Sequence, residues 1–136
     1  MSGEAVVDAN VVISYLLTEP EGDILLDAVT NYHVVVPRVW RLEVANTLLK
    51  VGRRKNATPV EIDSYARATD DLAVQEVDPA AASTAEDIVA FARPHPLSSY
   101  DAAYVVLALE RGATLFTNDS NMLDAAGRLG LPVRTA

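Results

Sequence analysis

Short apolar runs rich in β-branched residues alternate with helix-patterned stretches along the whole chain, and this alternation restricts the fold more than any other feature. EAVVD (4–8), HVVV (33–36), VQEV (74–77), TLFT (114–117) and PVR (132–134) read as strands. HVVV and TLFT are continuous and apolar, as strands covered on both faces should be. Strands separated by helices need crossover connections, so the expected architecture is α/β with a mostly parallel sheet. A length of 136 residues fits one domain spanning 1–136, and half of those residues are hydrophobic, enough for a well-formed core. No repeat or low-complexity linker divides it.

The helix starts carry capping chemistry. Thr58-Pro59-Val60-Glu61 is a capping box with proline at the first helical position. Asp78-Pro79 is expected to open a helix in the same way, leading into an Ala-rich segment that ends near Arg93. Thr18 and Glu21 have capping-box spacing before a helix to about Thr30. PRVWRLEVANTLLK predicts a helix from Arg38 to Arg54, with Leu42, Ala45, Leu49 and Gly52 as its inward stripe. AAYVVLAL is apolar all round, the mark of a buried helix, and Gly112 ends it.

Absence of cysteine excludes disulfides, thiolate catalysis and cysteine-based zinc sites. The longest apolar stretches, 11–17 and 102–109, are too short to cross a bilayer. Met1 is followed by Ser-Gly-Glu, unlike a signal peptide, so a soluble cytoplasmic protein is expected. The net charge of −8 argues against a broad phosphate-binding surface, yet seven of the eleven Lys and Arg residues lie between Arg38 and Arg67. The run Arg53-Arg54-Lys55 reads first as a helix end favoured by the macrodipole, and second as part of a local phosphate groove.

Four acids interrupt this framework. Asp8 breaks an apolar run where the first strand ends, and a buried charge needs a partner. Each acid has an ordinary explanation: Asp8 as a helix cap, Glu43 as a first-turn acid, Asp101 in a Ser98 capping box, and Asp119 in a polar turn. Their positions in the chain suggest more. Asp8 and Asp119 follow strand ends, Glu43 begins the helix after the second strand, and Asp101 heads the helix feeding the fourth. All four can therefore face the carboxyl edge of the sheet, where open α/β folds bind ligands. Two carboxylates 4 Å apart repel by about 4 kcal/mol at an effective dielectric near 20. A hard divalent cation relieves that repulsion, and an acid-only donor set suits Mg²⁺ or Mn²⁺ rather than zinc. Such sites serve phosphoryl chemistry.

VVDANVVISYLL, PRVWRLEVANTL, LSSYDAAYVVLA and LFTNDSNMLDAA together resemble the successive motifs of PIN-domain ribonucleases, particularly VapC-type toxins of toxin–antitoxin pairs. The match runs from Val6 to about Gly130, in family order. The resemblance implies a three-layer sandwich with a five-stranded parallel sheet and Mg²⁺- or Mn²⁺-dependent hydrolysis of RNA. It carries the catalytic positions over as Asp8, Glu43, Asp101 and Asp119, with Asp8, Asp101 and Asp119 as metal ligands and Glu43 serving the attacking water. Asn10 and Thr117 become the supporting hydrogen-bonding shell. Some members carry another acid where this chain has Thr117, which leaves open whether one ion binds or two. A homodimer and a small inhibitory antitoxin are implied as well.

Arg38, Arg41, Arg53 and Arg54 are candidates for holding RNA, and Trp40 and Tyr100 for stacking on bases, although core or rim packing is the ordinary role of both aromatics. His33 and His95 read as structural. A receiver-type signalling domain is the rival from another class; it would need a paired acid at the first strand and a late lysine, but Lys50 and Lys55 both lie in the first half. A PIN-fold binding or scaffold module without turnover is the nearer alternative.

Overall fold

The computed structural model describes residues 3–54 and 57–136. Among them, β1 (Glu4–Val7), β2 (His33–Val36), β3 (Val74–Glu76), β4 (Thr114–Phe116) and β5 (Val133–Arg134) form a sheet in the order β3-β2-β1-β4-β5. Every adjacent pair is parallel, with Val6 opposite Val35 on one side and Leu115 on the other. Ala5, Val6 and Val7 are buried in succession, as are Val34, Val35 and Val36. Successive strand side chains point to opposite faces, so both faces of the sheet are covered and the domain has three layers.

The covering helices are α1 (Ala9–Leu16), α2 (Ile24–Asn31), α3 (Val39–Arg54), α4 (Pro59–Asp70), α5 (Ala85–Ala92), α6 (Ser99–Arg111) and α7 (Ser120–Leu129). The body of α6 buries Ala102 and every residue from Tyr104 to Ala108, and Gly112 closes it at φ +61°, a conformation glycine adopts without strain. The α4 capping box forms in full: the Glu61 N–H donates to Thr58 Oγ1 at 3.1 Å, and the Thr58 N–H to Glu61 Oε1 at 2.9 Å.

Three local expectations are overturned. The inward stripe of α3 is Trp40, Val44, Leu48 and Val51; Leu42 and Leu49 are 72% and 57% exposed, Ala45 is exposed, and Gly52 is half-buried. Both stripes have helical spacing, and the one carrying the Trp40 indole removes more apolar area from water. Asp78-Pro79 does not start α5. Asp78 accepts the Arg38 N–H at 3.0 Å, the Ala80 and Ala81 N–H groups bond to the Glu110 carboxylate at 3.0 and 2.9 Å, and a short 3-10 turn forms over Ala80–Ala82. The α5 cap is Thr84, whose hydroxyl accepts the Asp87 N–H. Thr18 is no cap either: its φ is +60°, and a 3-10 turn over Pro20–Gly22 precedes α2. Gly22 closes this corner against the α1 backbone, where a Cβ would stand 2.1 Å from the Tyr15 nitrogen.

The sheet order determines where a ligand can sit. The chain builds outward from β1 to β2 and β3, then returns to the other side of β1 for β4 and β5. Strand order therefore reverses between β1 and β4, and their carboxyl ends open the crevice where doubly wound sheets bind ligands.

Candidate active site

Asp8 stands at the C-terminal end of β1, inside that crevice. Its N–H donates to the Phe116 carbonyl of β4 at 3.0 Å, continuing the ladder one residue beyond the strand. The carboxylate is 3% exposed and serves as the α1 cap, with Oδ1 accepting the Asn10 N–H at 3.3 Å. Oδ2 accepts the Thr117 hydroxyl at 2.9 Å. Asp8 is thus cap and buried acid at once. Burial pushes its carboxyl up to about 6, against the Thr117 and Asn10 hydrogen bonds, while the nearby Asp101 and Glu43 charges push it further.

Thr117 joins two of the acids. The same Oγ1 that donates to Asp8 accepts the Asp119 N–H at 3.0 Å. Asp119 caps α7, accepting the Asn121 N–H at 2.9 Å. Its loop is tied down by Asn118, whose side-chain amide donates to the Glu21 carbonyl at 2.8 Å. The Asn118 side-chain oxygen accepts from the Thr135 hydroxyl at 2.9 Å and the Ala136 N–H at 2.7 Å. Asn10 supports Asp8 through its backbone amide, while its exposed residue lines a cavity of about 600 Å³ with Ser14, Glu19, Glu21 and Asp119.

Glu43 enters from the first turns of α3 and is half-buried. Its Oε1 accepts the Tyr104 hydroxyl at 2.5 Å. Burial raises the Glu43 carboxyl above the usual range, the Tyr104 bond opposes this, and the Asp101 charge adds to it. Asp101, in the first turn of α6, donates its N–H to Ser98 Oγ at 3.1 Å. Burial raises its carboxyl as well, followed by repulsion from Asp119, with the Ser98 side chain opposing. Asp8 feels Asp101 and Glu43, Glu43 feels Asp101, and Asp101 feels Asp119. Charge therefore links the four acids pairwise, with Asp119 joined to the others through Asp101.

Tyr104 is the site residue that its sequence context conceals, because it lies within an apolar run and its ring is fully buried. Its spacing of three from Asp101 is the available signal, since i and i+3 share a helix face. Burial and the Glu43 and Asp8 charges hold its hydroxyl protonated, and so a donor.

Two candidate cations are elsewhere. Arg38 pairs with Asp78 at 3.6 Å, and Arg41 pairs with Asp70 and, at 3.4 Å, with Glu76 while lying 5.4 Å from the Trp40 ring. Arg53 and Arg54 are exposed in the last turn of α3, and Lys55 lies outside the described residues. Trp40 is core, Tyr100 is 55% exposed, His33 bonds the Gln75 side chain at 2.8 Å, and His95 packs against Phe91 with the rings tilted by 40°.

The donor set fits a hard divalent cation. Asp8 is a buried carboxylate, and among the described residues no Lys or Arg forms an ion pair with any of the four acids. Among the described residues, no group of three or more His, Cys, Asp or Glu side chains is placed so that it could hold a metal ion. Mg²⁺ needs fewer protein ligands than that, because it keeps several waters and takes one or two protein carboxylates.

Residues 5–128 match the PIN domain family, and the chain belongs to it. Among solved structures, PAE2754 from Pyrobaculum aerophilum is 21% identical with a TM-score of 0.68, over 96% of this chain and 83% of that one. VapBC2 from Rickettsia felis, bound to a DNA fragment from its promoter, is 13% identical with a TM-score of 0.66, over 96% and 97%. FitAcB from Neisseria gonorrhoeae is 18% identical with a TM-score of 0.59, over 95% of each chain. These likenesses establish the fold. No curated protein matches the chain. No helix among the described residues is long and apolar enough to cross a membrane.

Proposed function

We propose that this PIN-domain protein is a divalent-metal-dependent endoribonuclease acting as the toxin of a toxin–antitoxin pair. The buried Asp8 carboxylate carries the reading: it lies at the reversal of strand order, feels the Asp101 and Glu43 charges, and has no cationic partner among the described residues. Family membership supports nuclease chemistry. The four-motif resemblance to VapC-type toxins, together with the VapBC2 and FitAcB neighbours, supports the toxin role and an antitoxin partner.

Asp8 and Asp101 would hold Mg²⁺ or Mn²⁺, with Asp119 completing the acidic rim. The ion would supply Lewis acidity towards a phosphate oxygen and a lowered pKa for water. Glu43 orients the attacking water and takes its proton. Tyr104 occupies Oε1, which leaves the other carboxylate oxygen for that transfer. The raised affinity of Glu43 for a proton strengthens it as a base. Thr117 holds Asp8 and Asp119 in fixed relation through one hydroxyl.

Purified protein should cut single-stranded RNA with Mg²⁺ or Mn²⁺ and stop with a chelator. Asp8→Asn and Asp101→Asn should each lower cleavage by at least about 100-fold while the circular dichroism spectrum stays native, as expected when a group acting on the transition state is lost. Wild-type rates in either variant refute the proposal. Co-expression with the product of an adjacent short reading frame should suppress cleavage if the toxin assignment holds.

A further inference from the structure

Resting on the nuclease reading, we propose that a groove along α3, bounded by Tyr100, is the track on which a single-stranded RNA approaches Glu43. The groove encloses about 500 Å³ and is lined by Leu42, Glu43, Asn46, Thr47, Lys50 and Tyr100, among others. Residues 46 and 47 lie three and four positions after 43, residue 50 lies four and three after them, and residue 54 lies four after 50, so all five share one face of α3. At 1.5 Å per residue, Lys50 lies about 10 Å and Arg54 about 16 Å along the axis from Glu43. One line of side chains thus runs from an acid of the site, through two neutral hydrogen-bonding groups, to two cations.

Unpaired positive charge is clustered on this helix. In a chain of net charge −8, Arg38, Arg41, Arg111 and Arg134 are each paired with an acid. Of the cations with no ion pair among the described residues, Arg67, Arg93 and Arg128 lie on other elements, while Lys50, Arg53 and Arg54 lie together in the C-terminal part of α3. Free cations in an otherwise acidic protein attract a polyanion to this groove. Tyr100 directly precedes Asp101 and is 55% exposed, although tyrosine usually buries its ring. An exposed ring beside a charged track is a stacking platform for an unpaired base. In a duplex the base faces are stacked on one another, so the arrangement selects a single strand.

The test measures equilibrium binding of a short fluorescein-labelled single-stranded RNA by anisotropy in EDTA, so the readout does not depend on turnover. Tyr100→Ala should weaken binding about tenfold, while Tyr100→Phe, which keeps the π-face, should bind as wild type does. Lys50→Ala and Arg54→Ala should each reduce the slope of log K against log salt by about 0.7. A duplex of the same sequence should bind more weakly, and Arg111→Ala, at the opposite end of α6 from Tyr100, should change nothing. In Mg²⁺ the same groove substitutions should raise KM far more than they lower kcat. Failure of the wild-type protein to bind the strand, or binding indifferent to Tyr100, Lys50 and Arg54, overturns the proposal; the second result is also what a groove reserved for a protein partner would give. Sensitive binding without cleavage would leave the track standing and remove the nuclease reading, and cleavage with insensitive binding would do the reverse.

Discussion

Asp8 burdens the folded protein that has no cation bound. Its carboxyl titrates near 6 against an ordinary 3.8, so between those values the folded state holds a proton that the unfolded state has released. Stability contributed by this group is present below about pH 4 and is lost as pH rises towards 6. At about 1.4 kcal/mol per pKa unit, the full loss is on the order of 3 kcal/mol. Asp8→Asn, neutral and nearly isosteric, should therefore stabilise metal-free protein at neutral pH by up to about that amount and leave it unchanged near pH 4. Urea unfolding in EDTA across that range measures it, and equal stabilities at neutral pH would remove the burial argument. Tyr104→Phe isolates the second buried partnership. It should lower kcat about tenfold and move the acid limb of the rate profile to higher pH, because Glu43 loses the bond that favours its charged form. A packing role alone would leave that limb in place. The acids were legible because charge stands out in apolar runs. Tyr104 was hidden because its partner lies 61 residues away, and only folding joins them.

Secondary structure follows from local chemistry wherever a segment supplies its own caps, and departs from it where another element supplies them. The α4 boundary was readable because Thr58 and Glu61 satisfy each other within four residues. The start of α5 was not, since Glu110 from α6 caps the chain at Ala80 and Ala81 and Asp78 is drawn to Arg38. In α3 two stripes share the helical period, and spacing alone has no means of choosing between them. The sheet chooses, because Trp40, Val44 and Leu48 fit its covered core. Leu48→Ala should accordingly cost about 2–5 kcal/mol, the range for an emptied core site. Leu49→Ala, next to it but 57% exposed, should stay within about 0.5 kcal/mol. Denaturant titrations of the two variants decide between the registers; a larger loss at Leu49 would reverse the assignment. The same rotation sets Glu43 beside Tyr104 and leaves Asn46, Thr47 and Lys50 along the groove.

Across the whole molecule, strand order decides which acids of the sequence come near one another. Alternating strands and helices made a parallel sheet legible, but periodicity carries no information about order, and the reversal between β1 and β4 is a tertiary choice. That reversal sets Asp8 and Thr117, 109 residues apart, within 2.9 Å. It also concentrates negative charge in a chain already at −8. An ion that binds the folded cluster and not the dispersed acids of the unfolded chain must stabilise the fold by mass action. At Mg²⁺ or Mn²⁺ concentrations about 100 times the dissociation constant, the gain is roughly 2.7 kcal/mol, or about 10 °C in Tm for a chain this size. Potassium chloride at matched ionic strength should give much less, because screening eases repulsion between exposed charges far more than between buried ones. Asp8→Asn should remove most of the divalent increment while starting from a higher metal-free Tm, so the two melting curves should converge as the metal is raised. Parallel curves, with the same divalent gain in both proteins, would mean that the ion binds elsewhere on the acidic surface.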